Sequence, residues 1–198
     1  SLGFRSRRGY GALSMEGVFD LANALQTFAS GQEAITVFTL PECNDKDSAL
    51  AALARWYKSW RTHGRTINGE AEGFGLPGFD YARNDHDVGY GINNRTTTYR
   101  PALGLPIIQR TQNGARNWNK NPTPSGEGDP GRFASPVLLR PHRAGQQQIN
   151  PLVIFVDVYK WREGDGVYMQ NVRKPVSPDL YNKMKIDRRL TLFNPSAP

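Results

Sequence analysis

The chain has 198 residues, with 25 Lys and Arg against 18 Asp and Glu for a formal net charge of +7, and is 38% hydrophobic and 11% aromatic. That is enough apolar material for a packed core and argues against a disordered chain. The longest apolar run, residues 151–156, is far too short for a bilayer-spanning helix.

In chain order, the first eleven residues are polar, basic and punctuated by glycine. A helix is expected over 17–28, where Val18, Leu21, Ala22, Leu25 and Phe28 recur at helical spacing, with Gly31 stopping it. Residues 34–40 read as a strand, being β-branched and aromatic, and Pro41 ends it. The strongest helix signal follows. Asp45, Asp47 and Ser48 offer cap oxygens, and Leu50, Leu53, Ala54, Tyr57 and Trp60 form the expected apolar stripe before Gly64. Residues 68–91 are glycine-rich and expected to be irregular, and 99–109 reads as an extended segment broken by prolines. Residues 111–131 are expected to form one long polar loop, a length that in ordered domains usually serves a function. Strands are predicted over 133–140 and 152–159, the second central in a sheet because it is continuously apolar. A last helix should run from Ser177 as cap, with Pro178 at its first position, through Lys185, and the tail at 194–198 should fray. This order of elements indicates an α+β fold, with a ferredoxin-like antiparallel sheet, helices on one face, as the best small-domain candidate.

Charge points to an anionic partner, nucleic acid first, and the 18 Arg against 7 Lys sharpen this, since guanidinium holds phosphate bidentately and stacks on bases. The strongest local signal is Gly3-Phe-Arg-Ser-Arg-Arg-Gly-Tyr-Gly11. Arg5, Arg7 and Arg8 supply planar donors, Gly3, Gly9 and Gly11 let backbone N–H groups approach a phosphate, and Tyr10 offers a stacking face. Arg132, Arg140 and the helix residues Arg55 and Lys58 are weaker candidates for a continued basic path.

Other chemistry is poorly supported. Gly73-Phe-Gly-Leu-Pro-Gly78 matches G-x-G-x-x-G, but no strand is expected before it, Pro77 lies inside it, and no helix is expected after it. Asp85-His86-Asp87 has the composition of an acid–base cluster or half a metal site, yet its polar surroundings favour solvated turn residues. A lone cysteine, Cys43, excludes an internal disulfide and any multi-cysteine metal site, fits a reducing cytoplasm, and reads as a small packed residue. No metal, cofactor or catalytic residue is expected.

Three segments carry a resemblance. The opening loop is similar to the glycine- and arginine-rich loop of RAMP proteins of CRISPR effectors, while Ala102-Leu-Gly-Leu-Pro-Ile107 and Arg132-Phe-Ala-Ser-Pro-Val-Leu-Leu-Arg140 resemble elements of the first RAMP subunit family of the type III-B (Cmr) complex, within the Cas7 superfamily. Members of that family have two ferredoxin-like, RRM-related halves, and the Arg-Gly loop falls where the second begins. The resemblance therefore implies a single RAMP domain over 1–198, the C-terminal half of a longer protein or a partner to a separate N-terminal half. It implies a cytoplasmic, antiviral RNA-binding subunit without catalytic residues, contacting guide RNA, target RNA or both near the guide 3′ end, beside other RAMP subunits. Two rival readings are an RNA-processing endonuclease using His63 or His86 in acid–base chemistry, and a purely structural docking subunit.

Overall fold

The computed structural model describes residues 35–62, 66–67, 70–71, 75–92, 95–105, 107–111, 114–119, 135–143, 148–157, 161, 164–169 and 171–194. Its elements in chain order are β1 (Ile35–Thr39), α1 (Lys46–Arg61), β2 (Thr66–Ile67), β3 (Glu70–Ala71), α2 (Phe79–Tyr90), a 3-10 turn (Arg100–Leu103), β4 (Ile107–Thr111), β5 (Gly114–Asn119), β6 (Val137–Arg143), β7 (Ile149–Val156), β8 (Gly166–Met169), β9 (Val172–Pro175), α3 (Asp179–Lys185) and β10 (Thr191–Leu192). The fold is α+β, with antiparallel sheets and three described α-helices. The helix expected at 17–28 and, apart from Asn194, the tail expected to fray at 194–198 lie outside the described residues.

Two compact units share the chain. The first takes Ser1–Trp56, Val137–Val158 and Lys185–Pro198, and the second takes Tyr57–Pro136 and Tyr159–Met184. The second unit thus consists of two insertions in the chain of the first, one from the last turns of α1 up to β6 and one after β7 that includes α3 as far as Met184.

In the first unit the sheet order is β10-β1-β7-β6, every neighbour antiparallel. β7 is central, as its apolar run predicts. Both β6 and β7 lie about three residues from their expected positions, because the ladder from Val137↔Phe155 to Arg143↔Ile149 extends toward the connection between them. α1 begins as its cap residues dictate: Asp45 Oδ1 accepts the Ser48 N–H at 2.8 Å and its carbonyl accepts that of Ala49 at 3.1 Å. Its buried residues in this unit are Ala49, Leu53 and Trp56. The expected stripe therefore rotates, leaving Ala54 exposed and Leu50 and Tyr57 half-buried. An indole removes more apolar area from water than alanine, so Trp56 sets the inward face.

Trp56 meets Phe155 edge-on at 6.4 Å, and Phe155 meets Phe38 at 5.7 Å. α1 therefore covers the sheet face that carries Phe155, Val153, Phe38, Val137 and Leu139, since directly paired residues point the same way. The opposite face carries Val37, Thr39, Leu152, Ile154, Arg140 and His142.

The second unit holds the four-stranded sheet β4-β5-β8-β9 and the β2/β3 hairpin. Its core joins Val88, Ala102, Leu105, Trp118, Trp161, Val167, Met169 and Val176. Two expectations are corrected here. Residues 79–90, expected to be irregular, form α2, which ends at Gly91 in the left-handed conformation that suits glycine. The sequence FDYARNDHDVGY has weak helix propensity, and burial of Phe79, Ala82, Asp85 and Val88 holds the helix. Residues 114–119, expected within a long loop, form β5, anchored by Trp118, which is 1% exposed. α3 starts as predicted, with the Asp179 N–H donating to Ser177 Oγ at 3.2 Å.

Candidate nucleic-acid interface

Most of the RNA-binding candidates singled out in the sequence lie outside the described residues: Gly3, Arg5, Arg7, Arg8, Gly9, Tyr10, Gly11 and Arg132. Arg55 and Lys58 are exposed and three residues apart on α1, nearly one turn, which places them on neighbouring positions of one helix surface. Lys58 and Arg61 also stand in the last turn, where cations complement the helix dipole. The Arg61 guanidinium lies 5.3 Å from the Tyr57 ring centroid and donates to its hydroxyl at 3.1 Å. Arg140 is half-buried on β6, and its pairing with Leu152 puts it on the sheet face away from α1. Arg55 and Arg140 thus belong to opposite sides of the first-unit sheet.

Around Arg140 the sheet gathers residues that no sequence motif joins. Val137, Leu139, Pro141 and Arg143 alternate with Leu138, Arg140 and His142, so the last three share one face. His142 pairs with Asn150 on β7, and its ring meets the Phe193 ring edge-on at 5.9 Å. Phe193 is positioned by its N–H, which donates to the Val37 carbonyl at 3.0 Å just beyond β10. Burial, and then the charge of Arg140, hold the His142 imidazole below its ordinary range, so its neutral form is favoured. Period-two alternation along β6 is the signal that points to His142 beside Arg140. Nothing local in the sequence marks Phe193, because the ring contact spans more than fifty positions.

The Asp85-His86-Asp87 cluster occupies α2 and not the loop expected for it. Asp85 is fully buried and accepts the N–H groups of Tyr99 at 2.8 Å and Arg100 at 2.6 Å, with Arg100 Nε at 3.2 Å. Burial pushes its carboxyl upward, opposed by Arg100 and the two amides. The carboxylate is a clamp joining α2 to the 3-10 turn. Asp87 stands 3.8 Å from Arg95, and His86 stacks on Tyr90 with centroids 4.4 Å apart. Among the described residues no group of three His, Cys, Asp or Glu side chains gathers to hold a metal. His63 lies outside the described residues.

Cys43 and Ile149 exchange two backbone hydrogen bonds at 3.0 and 2.8 Å, and Cys43 is half-buried. The G-x-G-x-x-G match is also corrected in part, since a helix does follow it. Gly78 nevertheless serves packing: a Cβ there would stand 2.1 Å from the Trp60 carbonyl oxygen. That close approach of α2 to the end of α1 explains the glycine without a ligand.

No described helix is long and apolar enough to cross a membrane. Comparison with protein-family models, curated proteins and solved structures finds no match to this chain.

Proposed function

We propose that the chain is a non-catalytic RNA-binding module of a CRISPR type III-B ribonucleoprotein, working in the cytoplasm beside other RAMP subunits and an N-terminal half or split partner. The observation that carries this reading is the first-unit sheet order. Along the chain the strands come first β1, then β6, β7 and β10, with α1 beginning after the first strand, while α3, which precedes the fourth strand in sequence, belongs to the second unit except for Lys185. Placed as β10-β1-β7-β6 and antiparallel throughout, they are compatible with the split β-α-β-β-α-β arrangement of ferredoxin-like and RRM-related domains, and this compatibility supports the reading. The two insertions that make the second unit agree with a ferredoxin-like domain elaborated by long connections. The motif resemblance, the arginine excess and the Gly3–Gly11 sequence motif supply the RNA side of the argument. Guide RNA, target RNA or both are the ligands of this module.

The test is the salt dependence of single-stranded RNA binding by the parent assembly with Arg5, Arg7 and Arg8 changed to Ala. Removing each phosphate-binding arginine should flatten the log–log salt slope by about 0.7. An unchanged slope and affinity would refute the assignment of the loop.

A further inference from the structure

The two faces of the first-unit sheet are chemically unlike. One is closed by α1 through Trp56 and Phe155. The other buries Leu152 and Val156 and, toward its β6 edge, carries half-buried Arg140, His142, Asn150 and Ile154, with the half-buried Phe193 ring reaching His142 there. We infer that this patch binds one unpaired base of a single-stranded RNA, stacked on the His142–Phe193 ring pair, with Arg140 holding the adjacent phosphate.

The inference rests on the RNA-binding reading above and adds a site to it. The His142 and Phe193 rings, set at 81°, belong to residues that are each half-buried, and a nucleobase needs only one ring face to stack. His142 is favoured in its neutral form, so it offers a π-face and a single ring donor in place of a second cation. Asn150, directly opposite His142, carries an amide able to donate to and accept from a base edge. Arg140 stands two residues from His142 on the same face, near enough for its charge to act on the imidazole. Among the described strand residues of this face there is no carboxylate, so an anionic strand meets no opposing charge. An acidic protein segment would share the phosphate chemistry but not the stacking, and stacking is what the ring pair favours.

The experiment compares a fluorescent uridine homopolymer with an abasic ribose–phosphate oligomer of equal length, each bound to the full chain. His142→Ala should weaken uridine binding roughly tenfold, within the range for loss of one stacked base, and leave the abasic oligomer unchanged. His142→Phe should restore uridine binding, because it keeps a stacking ring. Arg140→Gln should weaken both oligomers and flatten their salt slopes by about 0.7. Equal losses on both oligomers for His142→Ala would assign His142 a structural role and overturn the proposal. So would unchanged binding in His142→Ala alongside weakened binding in the Arg5, Arg7 and Arg8 variant, an outcome that leaves the RNA-binding reading standing. Failure of the unaltered chain to bind uridine oligomers would overturn both.

Discussion

Replacing Asp85 with alanine removes the acceptor shared by the N–H groups of Tyr99 and Arg100 and by the Arg100 side chain. Asp85 has no exposed surface, and the Arg100 side chain is 19% exposed, so water reaches the vacated site poorly. Removing one partner of a buried pair costs about 3–5 kcal/mol, because the remaining charge is left uncompensated. Asp85→Asn should be milder, near 2 kcal/mol, because one amide oxygen still serves part of the donor set and burial already disfavours the charged carboxylate. Urea unfolding supplies the global readout. Amide exchange at Tyr99 and Arg100 supplies the local one, and a 3 kcal/mol loss corresponds to opening about a hundredfold more often. In a double-mutant cycle, adding Arg100→Met to Asp85→Ala should cost less than the separate losses together, with about 1–3 kcal/mol of coupling. The sign with pH follows from the raised folded pKa. The extra stability of the wild type over Asp85→Asn should be largest at acid pH, below the unfolded aspartate value, and should decline as pH rises through the folded one. An Asp85→Ala variant with unchanged exchange at both amides and a stability loss under about 0.5 kcal/mol would refute the clamp.

Gly78→Ala forces a methyl group against the Trp60 backbone, which no rotamer relieves. A loss of at least about 1–3 kcal/mol is expected, read as a lower urea midpoint, and a wild-type midpoint would contradict the close approach. Asp187 accepts Trp56 Nε1 at 2.9 Å and four bonds from three donors of Arg189 between 2.6 and 3.0 Å. Asp187→Ala should therefore lower the first unit's melting temperature and cost about 2–4 kcal/mol, whereas Arg189→Ala should cost under about 1, since its side chain is 40% exposed. The depressed His142 pKa makes folded-state stability decline as pH falls through the ordinary histidine range toward the folded value and level off below it. His142→Gln should remove that component from the difference between urea midpoints at about pH 8 and pH 5. Identical pH profiles for the two proteins would count against it.

The elements legible in the sequence are those whose signals are local. β1 has its β-branched run and Pro41, α1 its Asp45 cap and apolar period, β7 its unbroken hydrophobic stretch, and α3 its Ser177–Pro178 start. Elements that depend on distant partners were not legible. α2 turns a buried carboxylate inward, so its apolar period is interrupted at Asp85, and the amides of residues 99–100 together with the Arg100 guanidinium make that burial tolerable. β5 is polar apart from Ala115 and Trp118, and it exists by pairing with β4 and β8. The β8/β9 hairpin is likewise set by its pairing, with Asn171 in the left-handed conformation that a tight turn needs. β10 spans two residues and is a strand only because Phe38 and Thr39 receive it.

The candidate site divides in the same way. Composition and the Gly3–Gly11 motif suffice to direct attention to an anionic polymer, because charge and glycine content are properties of residues taken singly. The side of the sheet on which Arg140 stands, and its company of His142, Asn150 and Phe193, are properties of register and chain path. Which segments have to be buried and which carry charge can be read residue by residue, since hydrophobicity and caps act over a few positions. Which face each charge occupies follows from strand register, because a strand's side chains alternate and their assignment depends on pairing with residues far along the chain.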